Sequence, residues 1–302
     1  MVSSGDRRDG FQNRHSKIIF ASDGRGVRAL AILCALVPLA AAAAPPSPWP
    51  KGVDLPAGTP IDEDYRREFA MCDRAKTFRG HRSRYTDCAD DPNAVTALRR
   101  LPGGAIAYTS KLAVDLDGSP FACGPRHGRT DQCPTSLMLH DRRGREVPVD
   151  ADAVPYVVIP EAGPSDAAGE FARLTGVGVG DFGVVVARGR VVPVIVADTG
   201  PYSKLGEGSL ALHRAIGREL CARRTDRVCD RVADPLESVG SEVTTILFPG
   251  SARSDITPAT ILAVTKREAM QRWAKLRARA RRRDARITSA DRLRRLQTQP
   301  LR

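Results

Sequence analysis

Aromatic side chains are scarce in this 302-residue chain: Phe, Trp and Tyr make up 5% of it. Tryptophan occurs only as Trp49 and Trp273, both outside the strand-rich middle of the sequence. A non-catalytic sugar-binding module presents aromatic faces to its ligand, and few are on offer here. Long apolar runs are also missing. The best, Ala29 to Ala44, is interrupted by Pro38 and falls short of the ~20 residues a membrane helix needs. There is no C-x-x-C, and no histidine stands at ligand spacing beside any cysteine couple, which argues against a zinc site. No internal repeat is evident.

What is present begins with charge. The net charge of +12 invites a nucleic-acid reading, so its location matters. Residues 101–250 carry 16 basic and 19 acidic side chains, whereas residues 251–302 carry 15 basic and 4 acidic. The excess lies in the C-terminal tail, and the middle is slightly acidic. Nucleic acid is therefore not an expected partner. The tail could hold the protein to an anionic cell surface, or remain solvated.

At the N-terminus, Arg25 and Arg28 precede the apolar stretch, and small residues close it near Ala43 and Ala44. This is the pattern of a secretory signal over residues 1–44. Residues 45–58 read as a Pro-rich linker with little capacity to pack. Thr59-Pro60 and the acidic residues after it read as the start of a helix. The domain of interest spans 59–250, and 251–302 forms a basic C-terminal helix and tail. Within that helix Leu262, Ala269, Trp273 and Leu276 make an apolar stripe, and RARARRRDAR beyond it is expected to fray. Removing Cys34 with the signal leaves three local cysteine couples: Cys72 with Cys88, Cys123 with Cys133, and Cys221 with Cys229. Pairing within each couple is expected, although fifteen pairings are possible in principle. Disulfides and a signal agree with a secreted protein.

Between Gly104 and Phe248 the signals are mainly β. Ala105 to Thr109, Leu112 to Asp115, Tyr156 to Pro160, Phe182 to Ala187, Val191 to Ala197 and Thr244 to Phe248 read as strands. Several are apolar on both faces, so both sides are buried. Such strands with one short helix predict a mainly β fold, a small closed barrel with a few short helices and flanking terminal helices.

One stretch carries the candidate chemistry: VVPVIVADTGPYSKLGEGSLALHRAIG at 191–217. Asp198 ends a buried strand, Thr199-Gly200-Pro201 turns, and Glu207 follows between Gly206 and Gly208. Ser209 is placed to cap a short helix, Leu210 to Ile216, closed by Gly217. Two carboxylates flanking one connection are the minimum equipment for hydrolysing a glycosidic bond. The plainer alternative is a turn-capping Asp198 and a solvent-facing Glu207. In the hydrolytic reading Glu207 is the general acid and Asp198 the general base, because Glu starts with the higher pKa. The reverse follows if burial raises Asp198 more. Tyr202 and Lys204 lie on the same connection and could position the pair or contact sugar hydroxyls. Asp115 and Asp117 alternate on a strand, point to one face, and could hold a cationic amino sugar or a metal ion. The single Asp-Thr-Gly would serve an aspartic protease only as a homodimer, since that chemistry needs two aspartates sharing a proton.

From roughly Tyr108 to Gly217 the chain resembles the chitosanases of glycoside hydrolase family 75. The matching strings are LAVDLDGSP at 112–120, YVVIP at 156–160, GDFGVV at 180–185 and ADTGPYSKLGEGS at 197–209. The resemblance implies inverting endo-hydrolysis of β-1,4-linked glucosamine polymers by one Asp and one Glu, which fall on Asp198 and Glu207. It makes Asp115 and Asp117 substrate contacts. Neither cofactor nor metal is expected, chitosan is the expected partner, and a monomer is expected. The strand–D-x-G-P–helix pattern is also similar to double-psi β-barrel proteins, some of them peptidoglycan lytic transglycosylases. That supports a barrel and supplies a second activity to test.

Overall fold

A computed structural model describes residues 47–75, 77–78, 81–82, 95, 97–124, 133–163, 169–202, 204–225, 228–233 and 239–297. The signal assigned to 1–44 and the Cys72–Cys88 pairing lie outside them. The chain runs through β1 (Thr59–Pro60), α1 (Glu63–Ala75), β2 (Thr77–Phe78), β3 (His81–Arg82), β4 (Ala97–Arg100) and β5 (Ile106–Asp115). There follow β6 (Met138–His140), β7 (Glu146–Pro148), β8 (Tyr156–Pro160), α2 (Glu170–Thr175), β9 (Phe182–Ala187) and β10 (Arg190–Gly200). The last elements are β11 (Glu207–Ser209), α3 (Leu210–Ala215), β12 (Cys221–Thr225), β13 (Val228–Val232), β14 (Val239–Phe248) and α4 (Ile261–Gln297).

Six strands close into the expected barrel, in the order β5-β11-β8-β10-β9-β14, with β14 returning to β5. The pairs β5–β11 and β8–β10 are parallel and the other four are antiparallel. Closure leaves no free edge in the ring. The sequence suggests two short strands at 105–115, but they form one. β5 pairs with β4 over 106–109 and with β11 over 113–115, while β14 holds its other edge.

The wall is apolar on both faces because both are covered. Tyr156, Val158, Val184, Ile195 and Ile246 share a cluster with Val264 and Trp273 of α4. Val157, Ile159, Val185, Val194 and Val196 share another with Tyr65 and Phe69 of α1 and Phe171 of α2. Arg188 and Gly189 both take positive φ, 51° and 74°, as the two-residue turn between β9 and β10 requires.

Several expectations are corrected at the flanks. Residues 47–58 pack rather than hang free: Trp49 and Leu55 are buried in the α4 cluster, and the Trp49 indole donates to the Pro56 carbonyl at 2.9 Å. Trp273 is buried too, so both tryptophans belong to the core. Thr59-Pro60 pairs with β4, and Asp62 caps α1, its Oδ1 accepting from the Tyr65 N–H at 2.8 Å. In α4 the buried face is Ile261, Val264, Ala269, Trp273 and Leu276, while Leu262 is 52% exposed. One residue turns a helix by about 100°, enough to carry Leu262 off the stripe that Ile261 occupies. The helix does not fray at its arginine run; it continues to Gln297.

Cys123–Cys133 and Cys221–Cys229 form the two expected local disulfides. Among the described residues, no helix is long and apolar enough to cross a membrane. Asp152 fixes the second disulfide hairpin to the body. Its carboxylate accepts from Arg214, Arg224 and the Cys229 N–H. Burial pushes its pKa up, but these donors outweigh burial and hold it below the ordinary value.

Asp181, from the GDFGVV string, is an architectural residue. It accepts main-chain N–H bonds from Gly178, Gly250, Ser251 and Ala252, at 2.9, 3.2, 2.6 and 3.0 Å. It thereby ties the entry to β9 to the segment after β14. Replacing it with Ala strands these donors, and the expected loss is about 3 kcal/mol or more. Urea unfolding at neutral pH measures it, and an unchanged midpoint would contradict this role.

Candidate active site

The acidic residues singled out from sequence come from three strand ends. Asp198 is near the end of β10 and is 4% exposed. Asp115 ends β5, and Asp117 follows it in a turn. Glu207 opens β11; it stands in a short strand, not in a free loop.

A bulge decides which way Asp198 faces. β10 pairs with β8 as Ile195 with Tyr156 and Val196 with Val157, then resumes as Asp198 with Val158, skipping Ala197. Register partners share a face of a sheet. Without the bulge, Ala197 would take Val158, and Asp198 would lie opposite Ile159, on the far side of the wall. With it, Asp198 shares Val158's face. Glu207 also pairs with Val158, and its partner on β5 is Ala113, two residues before Asp115. Asp198, Glu207 and Asp115 therefore rise on one side of the sheet. Asp198 and Glu207 stand two strand spacings apart, roughly 10 Å between main chains, comparable with the ~6.5–9.5 Å carboxyl separation of inverting glycosidases.

Gly206 sets Glu207 in place. Its φ is 90°, and a side chain there would collide with the Lys111 carbonyl and the Ser110 side chain. Its own carbonyl accepts from the Ala113 N–H at 2.9 Å. Ser209 caps α3 as expected, accepting from the Leu212 N–H at 3.1 Å, and its hydroxyl donates to the Val154 carbonyl at 2.7 Å. Behind it, the ring nitrogens of buried His213 lie 3.0 and 3.1 Å from the carbonyls of Ser209 and Leu112, between α3 and β5. Burial lowers its pKa.

Asp198 is held by one oxygen. Oδ1 accepts from the Ser136 N–H at 2.9 Å, the Ser136 hydroxyl at 2.7 Å and the Thr199 N–H at 2.8 Å. These contacts leave Oδ2 as the oxygen that can engage a water or a substrate. Glu207 is gripped by Lys204, with Nζ 2.8 Å from Oε1 and both side chains largely covered. Its Oε2 lies over Gly200, 3.3 Å from where a side chain on that residue would begin.

Asp115 is the most strongly perturbed carboxyl of the cluster. Burial, then the Glu207 charge, push its pKa up to about 8, against the opposing Asp117 N–H; Asp198 adds to the rise. At neutral pH it keeps its proton. Tyr156 lies 3.0 Å from Asp115 Oδ2 and 2.9 Å from the Asp117 carbonyl, and a hydroxyl has one proton to give. A protonated Asp115 resolves this: it donates to Tyr156 Oη, and Tyr156 donates to the Asp117 carbonyl.

Asp115, Asp117 and Asp198 each bring a carboxylate oxygen within 4.8 Å of the others. Such a group could hold a cation, whether a metal ion or a protonated amine. Tyr202 is half-buried beside Gly163, where a side chain would meet its ring at 3.5 Å. Burial raises its phenol pKa. Three contributors escape the sequence reading. Ser136 arrives from a segment 62 residues before Asp198. Tyr156 reads only as a strand residue. Glu161 follows YVVIP directly, and burial and the Asp198 charge raise its pKa; its position next to a quoted string is the one signal that could have flagged it.

Compared with known proteins, the chain matches no family model and no curated protein.

Proposed function

We propose that this protein is a secreted glycoside hydrolase that cuts β-1,4-linked glucosamine polymers such as chitosan, with inversion. The reading rests on one observation: Asp115, Asp198 and Glu207, drawn from three strands, rise on one face of the barrel wall, and Asp115, Asp117 and Asp198 bring oxygens within 4.8 Å of one another. The carboxylates beside the protonated Asp115 suit a polymer bearing protonated amines. Asp198 takes a proton through Oδ2 from the attacking water; Glu207, protonated as it leaves Lys204, gives its proton to the leaving oxygen; and Asp117, with the unprotonated oxygen of Asp115, takes the amino group of a bound sugar. Lys204 holds Glu207 until substrate arrives, and Tyr202 lines the approach. Two disulfides fit an oxidising compartment and support export.

The test is reducing-end release from chitosan, chitin and peptidoglycan side by side, with Glu207→Gln as control. Chitosan is expected to be cut and the control to be inactive. Proton NMR immediately after cleavage should show the α-anomer at the new end. A β-anomer would exclude single displacement. An anhydro-sugar end from peptidoglycan would instead assign lytic transglycosylase chemistry to the same site.

A further inference from the structure

The acidic cluster lies at the C-terminal end of β5. The other end of the same strand, about 30 Å away along it, carries the opposite charge. There a cavity of about 400 Å³ opens between the β4–β5 turn, the end of β14 and α4. Arg100, Arg272, Lys275 and Arg279 line it, and Leu276 and Phe248 give it an apolar floor.

Two of the four cations are anchored. Arg100 donates to the carbonyls of Leu174 and Thr175. Arg272 is 2.6 Å from Glu268, with its guanidinium 5.9 Å over the Phe182 ring. That carboxylate is already shared with Arg253 and Arg267. Lys275 and Arg279 have no carboxylate at ion-pair distance among the described residues. The turn is shaped to admit one of them: at Gly103, φ 94°, any side chain would strike the Arg279 guanidinium. Holding cations together without counter-charge costs free energy, and an anionic ligand offsets that cost.

We infer that this cavity is a binding site for an organic phosphate, with Lys275 and Arg279 taking the phosphoryl group and Leu276 and Phe248 the attached apolar part. A guanidinium fork and an ammonium together suit a multiply charged oxyanion. The volume is that of a small-molecule site, larger than a phosphate ion alone would fill. The inference is independent of the proposed hydrolase activity, because none of these residues belongs to the acidic cluster.

The probe is phenyl phosphate, titrated by calorimetry into the full chain at low salt. Inorganic phosphate and phenol are the comparison ligands, and phosphatidylglycerol vesicles test a headgroup source by flotation. Phenyl phosphate should bind about tenfold or more tightly than either comparison ligand, and Lys275→Ala with Arg279→Ala should weaken it by about tenfold or more. Both side chains are exposed, so the double variant should melt with the parent. Gly103→Ala is a second, differently acting variant, and it too should weaken binding. Flotation that the double variant abolishes, together with phenyl phosphate binding, would assign the site to lipid headgroups; phenyl phosphate binding without flotation would assign it to soluble phosphates. Vesicle binding alone would reduce the effect to general attraction by the basic helix and overturn the inference. So would phenyl phosphate binding that the variants leave unchanged, or inorganic phosphate binding equally well. Chitosan cleavage by the double variant should equal that of the parent.

Discussion

Asp198→Asn is expected to lower chitosan cleavage by about 10²–10⁴-fold, the usual contribution of a positioned acid or base, with most of the loss in kcat. The substitution isolates the chemistry. An amide oxygen in place of Oδ1 can still accept from both Ser136 donors and from the Thr199 N–H. The other position becomes an NH2 group, which cannot take a proton from water. The variant should therefore fold and bind the polymer while failing to hydrolyse it. Reducing-sugar release across a range of chitosan concentrations separates kcat from KM, and a thermal melt checks the fold. An active Asp198→Asn protein would remove this residue from the mechanism.

Asp115→Asn is expected to stabilise the protein at alkaline pH while impairing cleavage. The folded-state pKa of about 8 lies well above the ~3.9 of an unfolded aspartate. Between those values the folded chain holds a proton that the unfolded chain has lost. Stability is therefore greatest at low pH and falls as pH rises from about 4 to 8. Asn carries no titrating proton, so the variant's advantage should be absent near pH 4 and full above pH 8. Asp115 keeps some exposure, so solvent screening discounts the gain to about 1–3 kcal/mol, several degrees in Tm. The local bonds survive. The Asn oxygen can accept from the Asp117 N–H, its NH2 can donate to Tyr156 Oη, and Tyr156 can donate to the Asp117 carbonyl, as the protonated acid does. Melts at pH 4, 6 and 8.5 measure the effect. A gap between variant and parent that does not widen with pH would show that Asp115 is not the proton holder.

The barrel was legible where hydrophobicity governs it. Tyr156 to Pro160 and Phe182 to Ala187 stand within the bounds read from sequence, since an apolar run buried on both faces has few other places to go. Ser209 capped its helix because hydroxyl capping is a local interaction. What failed to show was set by partners far along the chain. Glu207-Gly-Ser209 has no strand propensity, and β11 exists because β5 and β8 bond it from both sides. Leu262 stands one position from buried Ile261, and one position shifts a helical stripe by more than a quarter turn. At the site, sequence supplied Asp115, Asp117, Asp198 and Glu207 as candidates but could not bring the Asp115 segment to Asp198. Nor could it supply Ser136, which reaches Asp198 only through the fold.

The unmatched Ala197 carries an implication for how this chain can vary in length. Val196 and Asp198 already oppose consecutive residues of β8, so losing Ala197 alone would restore uniform pairing and leave Asp198 opposite Val158. A segment shortened by two positions, Val196 and Ala197, would instead set Asp198 opposite Val157, on the other face of the wall, and present Thr199 where Asp198 now stands. Loss of one residue before Asp198 should therefore be tolerated, and loss of two should not. A library of one- and two-residue deletions between Val194 and Ala197 would reveal that difference directly.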